Sequence, residues 1–210
     1  MGQILSIHSK TPELRKIKMV VDTIRDGGVV LYPTDTGFSL GCALANKEAI
    51  HRIRSIRRLP EQKEMTFLCR SLSNIAEFAR VSNSAYRTIK HLIPGPYTFI
   101  LPAGKLTPRY AQSEKRKTAG IRVPEHNLSQ LLLESLASPI ISISAKSEEN
   151  YFPDPDEIID ELASQVALTV RSDEYNFLGE STIIDMTTDN FEVIRDGVGA
   201  EKAYDYISGA

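Results

Sequence analysis

Cysteine is scarce in this chain, with Cys42 and Cys69 the two among 210 residues. Both lie in apolar, strand-like runs, which suits reduced core thiols of a cytosolic protein better than a disulfide framework. No stretch approaches the roughly 18 consecutive apolar residues that a spanning helix needs, so no membrane segment is expected. Met1-Gly2-Gln3-Ile4-Leu5-Ser6 has no basic region followed by a long apolar run, so no signal peptide is expected either. Gly2 with Ser6 matches the short myristoylation pattern, which by itself is weak evidence. His8, His51, His91 and His126 are scattered without metal-ligand spacing, which argues against a structural zinc site. The G-x-S-x-G elbow, the Walker loop and G-x-G-x-x-G are all missing, so the common hydrolase and nucleotide fingerprints fail.

What is present is an ordinary globular composition, 41% hydrophobic and 25% charged, long enough for one sizeable core or two small ones. The net charge of −2 conceals a division. Residues 1–147 carry 22 Lys and Arg against 11 Asp and Glu, while residues 148–210 carry 3 against 16. A basic portion of this kind points to an anionic partner or substrate. The alternative is that the acidic third folds against the basic body and neutralises it.

Strand and helix patterns interleave along the whole chain, which argues for one α/β domain over residues 1–210. Thr11-Pro12-Glu13 reads as a helix cap with a first-turn proline and acid, followed by a stripe of Leu14, Ile17, Val20, Val21 and Ile24. Gly27-Gly28 stops that helix. Strands are expected at Val29–Pro33, Phe38–Leu44, Met65–Cys69, Tyr97–Leu101, Ala119–Val123, Pro139–Ser144, Val166–Val170, Ser181–Met186 and Phe191–Arg195. Further helices are expected after Asn46, around Ile75–Phe78, and over Ser84–Ile93, Leu128–Leu136 and Asp156–Ala163. Residues 145–155, rich in Ser, Glu, Asp and Pro, read as a loop.

The chemistry gathers where strands end, which is where ligands bind in open α/β sheets. Tyr32-Pro33-Thr34-Asp35-Thr36-Gly37 follows a β-branched run with a proline, hydroxyls, a carboxylate and a glycine. It is either a site for a small carboxylate or phosphate ligand, or a plain polar turn between two strands. Arg122 stands alone in an apolar strand, so it faces outward from a sheet edge or inward to a cleft or partner. A guanidinium can grip a carboxylate or phosphate with two parallel hydrogen bonds. Ser142 and Ser144, two apart, share one strand face. Ser181 and Arg195 repeat the theme at later strand boundaries. No nucleophile–base pair accompanies these groups, which favours binding and orienting anions over covalent catalysis by a side chain. Arg52, Arg54, Arg57, Arg58 and Lys63 form a second basic region. Arg57 and Arg58 stand at a helix end, where cations also complement the dipole. Lys115-Arg116-Lys117 is an exposed loop or a contact for a phosphate backbone.

Taken in order, Tyr32–Gly37, Pro94-Gly95-Pro96-Tyr97-Thr98, Gly120–Pro124, Ser142–Ala145, Ser181–Asp185 and Arg195-Asp196-Gly197 resemble the YrdC/YciO family from about residue 12 to about residue 200. Cys69-Arg70, Tyr97–Leu101 and Glu114–Thr118 look like its YciO branch. The resemblance implies a single α/β domain: a twisted mixed β-sheet with flanking helices and a concave, basic cavity. It also implies a threonylcarbamoyl-AMP synthase-like nucleotidyltransferase that joins L-threonine, bicarbonate and ATP, with Mg2+ by analogy, in the t6A modification of tRNA. By matching motif, Thr34, Arg122, Ser142 and Ser181 would contact threonine, while Arg57, Ser144 and Arg195 would face the nucleotide. The family's association with double-stranded RNA and tRNA makes Arg58, Lys115, Arg116 and Lys117 candidates for RNA contact.

The chain departs from the synthase pattern at two points. Arg57-Arg58-Leu59 puts Leu59 where a K-x-R motif has its second base, and Ser144-Ala145-Lys146 puts Lys146 where S-x-N has asparagine. Hydrogen bonds to charged groups contribute about 1.5–3 kcal/mol, so a lost guanidinium means a factor of tens in affinity or rate. Three readings follow: a synthase-like enzyme of reduced or altered activity, a non-catalytic RNA-binding protein, or a carbamoyl- or adenylyl-transferring enzyme with another acceptor.

Overall fold

Alternation within the strands builds this molecule. In a computed structural model describing residues 2–60, 65–113, 115–146 and 154–208, ten strands form one mixed sheet. In chain order they are β1 (Gln3–Ile7), β2 (Val30–Thr34), β3 (Gly37–Ala43), β4 (Thr66–Leu68), β5 (Tyr97–Pro102), β6 (Thr118–Arg122), β7 (Ile140–Ser144), β8 (Leu168–Ser172), β9 (Thr182–Asp185) and β10 (Glu192–Arg195). Their order across the sheet is β1-β8-β2-β3-β7-β4-β6-β5-β9-β10. The helices are α1 (Leu14–Arg25), α2 (Lys47–Ile56), α3 (Leu72–Phe78), α4 (Asn83–Leu92), α5 (Asn127–Leu136), α6 (Pro155–Leu162) and α7 (Ala200–Ser208).

Successive strand side chains point to opposite faces, and here the two sets differ in kind. Phe38, Leu40 and Cys42 of β3, Phe67 of β4, Phe99 and Leu101 of β5, Ile121 of β6, Ile141 of β7 and Ile184 of β9 belong to the larger hydrophobic core. The intervening residues face the other way. At one end of that second face, Val30, Tyr32, Leu68 and Ile140 pack with Ile17, Val20 and Ile24 of α1 and Leu128, Leu132 and Leu136 of α5 into a smaller core. Beyond it the second face carries Ser142, Thr66, Gly120 and Ile100, which stand in register across four adjacent strands. These residues, small or polar except for Ile100, floor a cavity.

Helix starts follow their caps. Asn46 accepts the Ala49 amide at 2.9 Å, and Ser71 and Ser82 act in the same way at α3 and α4. The first helix departs from expectation. Thr11 does not cap it: the N-cap position is Glu13, and the Lys10 and Thr11 amides turn back on His8 Nδ1. The helix therefore begins at Leu14 behind an extended Glu13 whose side chain caps nothing, and Leu14 itself is exposed. Strand β1 and helix α7 have no counterpart in the sequence reading. β1 lies at the sheet's edge with only Ile7 deeply buried, so its alternation is faint. Of the expected loop at 145–155, residues 147–153 lie outside the described residues, as do Lys63 and Glu114.

The sheet also settles the division of charge. His8–Asp173, Lys10–Glu174, Arg116–Asp185 and Lys146–Glu180 tie the basic body to the acidic third. The acidic third thus folds against the body, and two of its strands, β9 and β10, form one side of the cavity.

Candidate functional site

The second face of the sheet opens into a cavity of about 790 Å³. Six of the seven motif-assigned substrate residues line it: Arg57, Arg122, Ser142, Ser144, Ser181 and Arg195. They come from five places in the chain, the α2 C-terminus, β6, β7, the residue before β9, and β10.

Thr34 is the seventh and does not line the cavity; it stands just behind the wall. β2 and β3 pair with Thr34 opposite Gly37, leaving Asp35 and Thr36 as a two-residue turn. Thr34 Oγ1 donates to the Gly37 carbonyl at 2.8 Å and accepts the Thr36 amide at 3.2 Å. Gly37 has φ of 135°, a conformation that favours glycine. The segment is therefore a polar turn and a cavity wall at once, since Thr36 and Gly37 face the hollow.

Arg122 lies inside the sheet, because β6 is flanked by β4 and β5, and this excludes the sheet-edge alternative. Its side chain is 7% exposed. Nη2 donates to Asp35 Oδ1, and Nη1 donates to Thr36 Oγ1 at 2.5 Å. Asp35 also accepts the Glu125 amide at 3.2 Å. Burial pushes the Arg122 pKa down and Asp35 opposes that shift. Arg122 Nε is buried and has no hydrogen-bond partner among the described residues. A buried donor left in that state costs free energy, which an arriving acceptor relieves. Asp35 and Thr36 are the members of this cluster that the motif assignment left out. The signal was their place in the same turn as Thr34, with Asp35 the carboxylate that balances Arg122.

Ser142 Oγ lies 3.1 Å from the hydroxyl of fully buried Tyr32, whose pKa burial raises. Ser181 Oγ lies 3.0 Å from Thr98 Oγ1. Arg195 donates through Nε and Nη2 to the Ser181 carbonyl at 3.0 and 2.8 Å, and through Nη2 to Ser181 Oγ at 3.0 Å. Its Nη1 lies 3.5 Å from Glu180 Oε1, and the same oxygen pairs with Lys146. Glu180 was not anticipated, because a glutamate beside a serine carries no motif. Leu59 and Lys146, the two departures from the synthase pattern, both line the cavity.

Part of the cavity lining is aromatic. Phe38, Tyr175 and Phe177 make mutual ring contacts at centroid distances of 5.2 to 5.5 Å, and Phe38 and Phe177 border the hollow. Arg58, Lys115, Arg116 and Lys117 are exposed and are not among the lining residues. Cys42 and Cys69 are buried, and burial pushes both thiols up to about 12, which leaves them unreactive. Among the described residues no group of three or more His, Cys, Asp and Glu is arranged to hold a metal ion. Among the described residues no helix is long and apolar enough to cross a membrane.

With this geometry in place, similarity to known proteins becomes informative. The Sua5/YciO/YrdC family model, described as "Telomere recombination", matches residues 22–197. The chain belongs to the Sua5/YciO/YrdC family. It is 42% identical to the "Uncharacterized protein YciO" of Escherichia coli (strain K12), across 97% of this chain and all of that one. The crystal structure of E. coli YciO superposes with a TM-score of 0.89 over the same shares. A threonylcarbamoyl-AMP synthase from Vibrio vulnificus (strain YJ016) is 28% identical over 72% of this chain and 83% of its own. The crystal structure of P. abyssi Sua5 complexed with L-threonine has a TM-score of 0.84 at 25% identity, covering 95% of this chain and 60% of that chain. The family's mixed sheet with flanking helices is the fold described above.

Proposed function

We propose that this family member binds ATP and L-threonine in the cavity and acts as a threonylcarbamoyl-AMP synthase-like enzyme. One observation carries the reading: six predicted ligand residues from distant segments line one hollow, next to a buried, unsatisfied guanidinium donor on Arg122. The solved Sua5 with L-threonine bound supports an amino acid as one ligand.

In this reading Arg122 Nε receives the amino acid carboxylate. Ser142, steadied by Tyr32, and Ser181, steadied by Thr98 and Arg195, orient the rest of the small ligand. Arg57, Lys146 and Arg195 face the phosphates, and Phe38 and Phe177 offer the base an apolar wall. Bicarbonate supplies the carboxyl group that joins the threonine nitrogen as a carbamate, with loss of water. A carbamate oxygen then bonds to the α-phosphorus while the α–β phosphoanhydride bond breaks and pyrophosphate leaves. Positioning and charge neutralisation supply the catalysis, as is general for transfer at phosphorus. The described residues hold no carboxylate cluster for magnesium, since Asp35 and Glu180 already pair with cations; the ion would arrive on the nucleotide as part of the substrate.

The test is pyrophosphate release with ATP, bicarbonate and L-threonine supplied together and singly omitted. Release that requires all three is the expected result. Release indifferent to threonine, or no release and no rise in unfolding midpoint with any ligand, overturns the proposal. A second reading rests on the exposed Arg58, Lys115, Arg116 and Lys117 outside the cavity, which suit the phosphates of duplex RNA. Phosphate contacts require affinity to fall steeply with salt, so a flat dependence removes it.

A further inference from the structure

Glu180 is a carboxylate inside a cavity whose other charged lining groups, among the described residues, are Arg57, Arg122, Lys146 and Arg195. It is half-enclosed, with its side chain 17% exposed, and one of its oxygens meets both Lys146 and Arg195. Arg195 is held by more than this contact, and Lys146 is anchored at its backbone. Arg195 is clamped to the Ser181 carbonyl by Nε and Nη2, which leaves Nη1 as the donor turned toward Glu180. Lys146 follows Ala145, whose amide bonds the Phe38 carbonyl at 2.8 Å, so its backbone is anchored to β3. Glu180 is likewise fixed through its backbone, since its carbonyl accepts the Val198 amide at 2.8 Å. The carboxylate therefore stands as a resident counter-anion on the two cations that an anionic ligand would seek.

We infer that Glu180 is a specificity-determining residue that limits the negative charge of the ligand the cavity accepts. The inference rests on the nucleotide reading given above and adds to it. An incoming phosphate chain has to share or displace Glu180 from Lys146 and Arg195. Each further phosphate brings more negative charge against the Glu180 carboxylate, whose backbone is tied at the cavity wall. Like charges brought together act as a selecting device against the more highly charged ligand. The attraction that ordinarily makes affinity climb from nucleoside mono- to triphosphate is thereby flattened.

The experiment measures binding of AMP, ADP and ATP by calorimetry, in EDTA so that no cation masks the phosphates. The parent protein is compared with Glu180→Gln, which keeps the shape and removes the charge. In the parent, affinity is expected to change little along the series. In E180Q the ratio of ATP to AMP affinity is expected to rise by about tenfold, the size of one modest charge interaction. Glu180→Asp, which retains a carboxylate, is expected to keep the parent's ratio. If E180Q lowers the unfolding midpoint, Glu180→Ser carries the same comparison. A ratio in the neutral variants within about twofold of the parent's overturns the inference and leaves the nucleotide reading standing. Failure of the parent and the variants to bind any of the three nucleotides overturns both.

Discussion

Two arginine–carboxylate pairs face the same cavity and differ in what surrounds them. Arg122 and Asp35 are 7% and 3% exposed, whereas Arg195 and Glu180 are 38% and 17% exposed. The first pair lies inside the sheet, where neither charge has water to turn to. Each depends on the other, and removing one strands its partner. The second pair lies at the rim, where solvent replaces a lost contact at small cost. Arg122 with Asp35 thus forms a fixed part of the fold that leaves one donor spare, while Glu180 shares its cations with whatever enters. Burial, more than the identity of the paired groups, separates scaffold from exchangeable contact.

Four substitutions probe this contrast, from the largest effect to the smallest. Arg122→Met leaves Asp35 buried without its cation and is expected to cost roughly 3–5 kcal/mol. Thermal unfolding reads this directly, and the double variant with Asp35→Asn should recover much of the loss. If R122M alone is as stable as the parent, the pair is not the scaffold described. Arg195→Ala should leave stability within about 1 kcal/mol yet weaken nucleotide binding by ten- to a hundredfold, because charged hydrogen bonds contribute about 1.5–3 kcal/mol. Equal losses of stability in R195A and R122M would erase the distinction between the two ends. Tyr32→Phe removes the hydroxyl beside Ser142 and is expected to cost about 1 kcal/mol. Calorimetry should show weaker threonine binding and unchanged nucleotide binding.

The smallest effect belongs to a third arginine pair, Arg116 with Asp185, which lies away from the cavity. Burial works against the Asp185 carboxylate, but hydrogen bonds from Arg116 and Thr187 hold its pKa below the ordinary value. A folded pKa lower than the unfolded one gives stability that is present above the unfolded value and lost as pH falls through the folded value. Asp185→Asn should therefore cost at most about 1 kcal/mol near neutrality, after solvent screening, and nothing in strong acid. Denaturant unfolding from pH 7 down into strong acid, past the titration of the folded carboxylate, checks this. A difference that persists at the acid end removes the charge explanation.

Much of the sheet was legible because its strands alternate. Phe38, Leu40 and Cys42 against Gly37, Ser39 and Gly41, or Ala119 and Ile121 against Thr118, Gly120 and Arg122, separate a core face from a polar face with no structure to hand. The same alternation announced Ser142 and Ser144 as neighbours on one face, and both line the cavity. β1 was not legible because an edge strand buries little and repeats weakly. Thr11 looked like a cap, but the helix starts later, with its N-cap position at Glu13.

The site was legible in its residue types and only partly in its partners. Arg122 and Arg195 stood out as cations in strands, and motif order grouped them. That Asp35 satisfies one and Glu180 meets the other depends on contacts across 87 and 15 positions of sequence, and no local pattern encodes either.

The amino-acid order thus determined which side chains each strand shows to its two faces, since a period of two is a property of the extended backbone alone. It also determined where strands end in hydroxyls and guanidiniums. Only the tertiary structure decided that α1 and α5 cover one end of the second face and leave the other open, which turns a row of small residues into a cavity. It likewise decided which carboxylate meets which cation, because electrostatic pairing depends on distance and burial through space and not on separation along the chain.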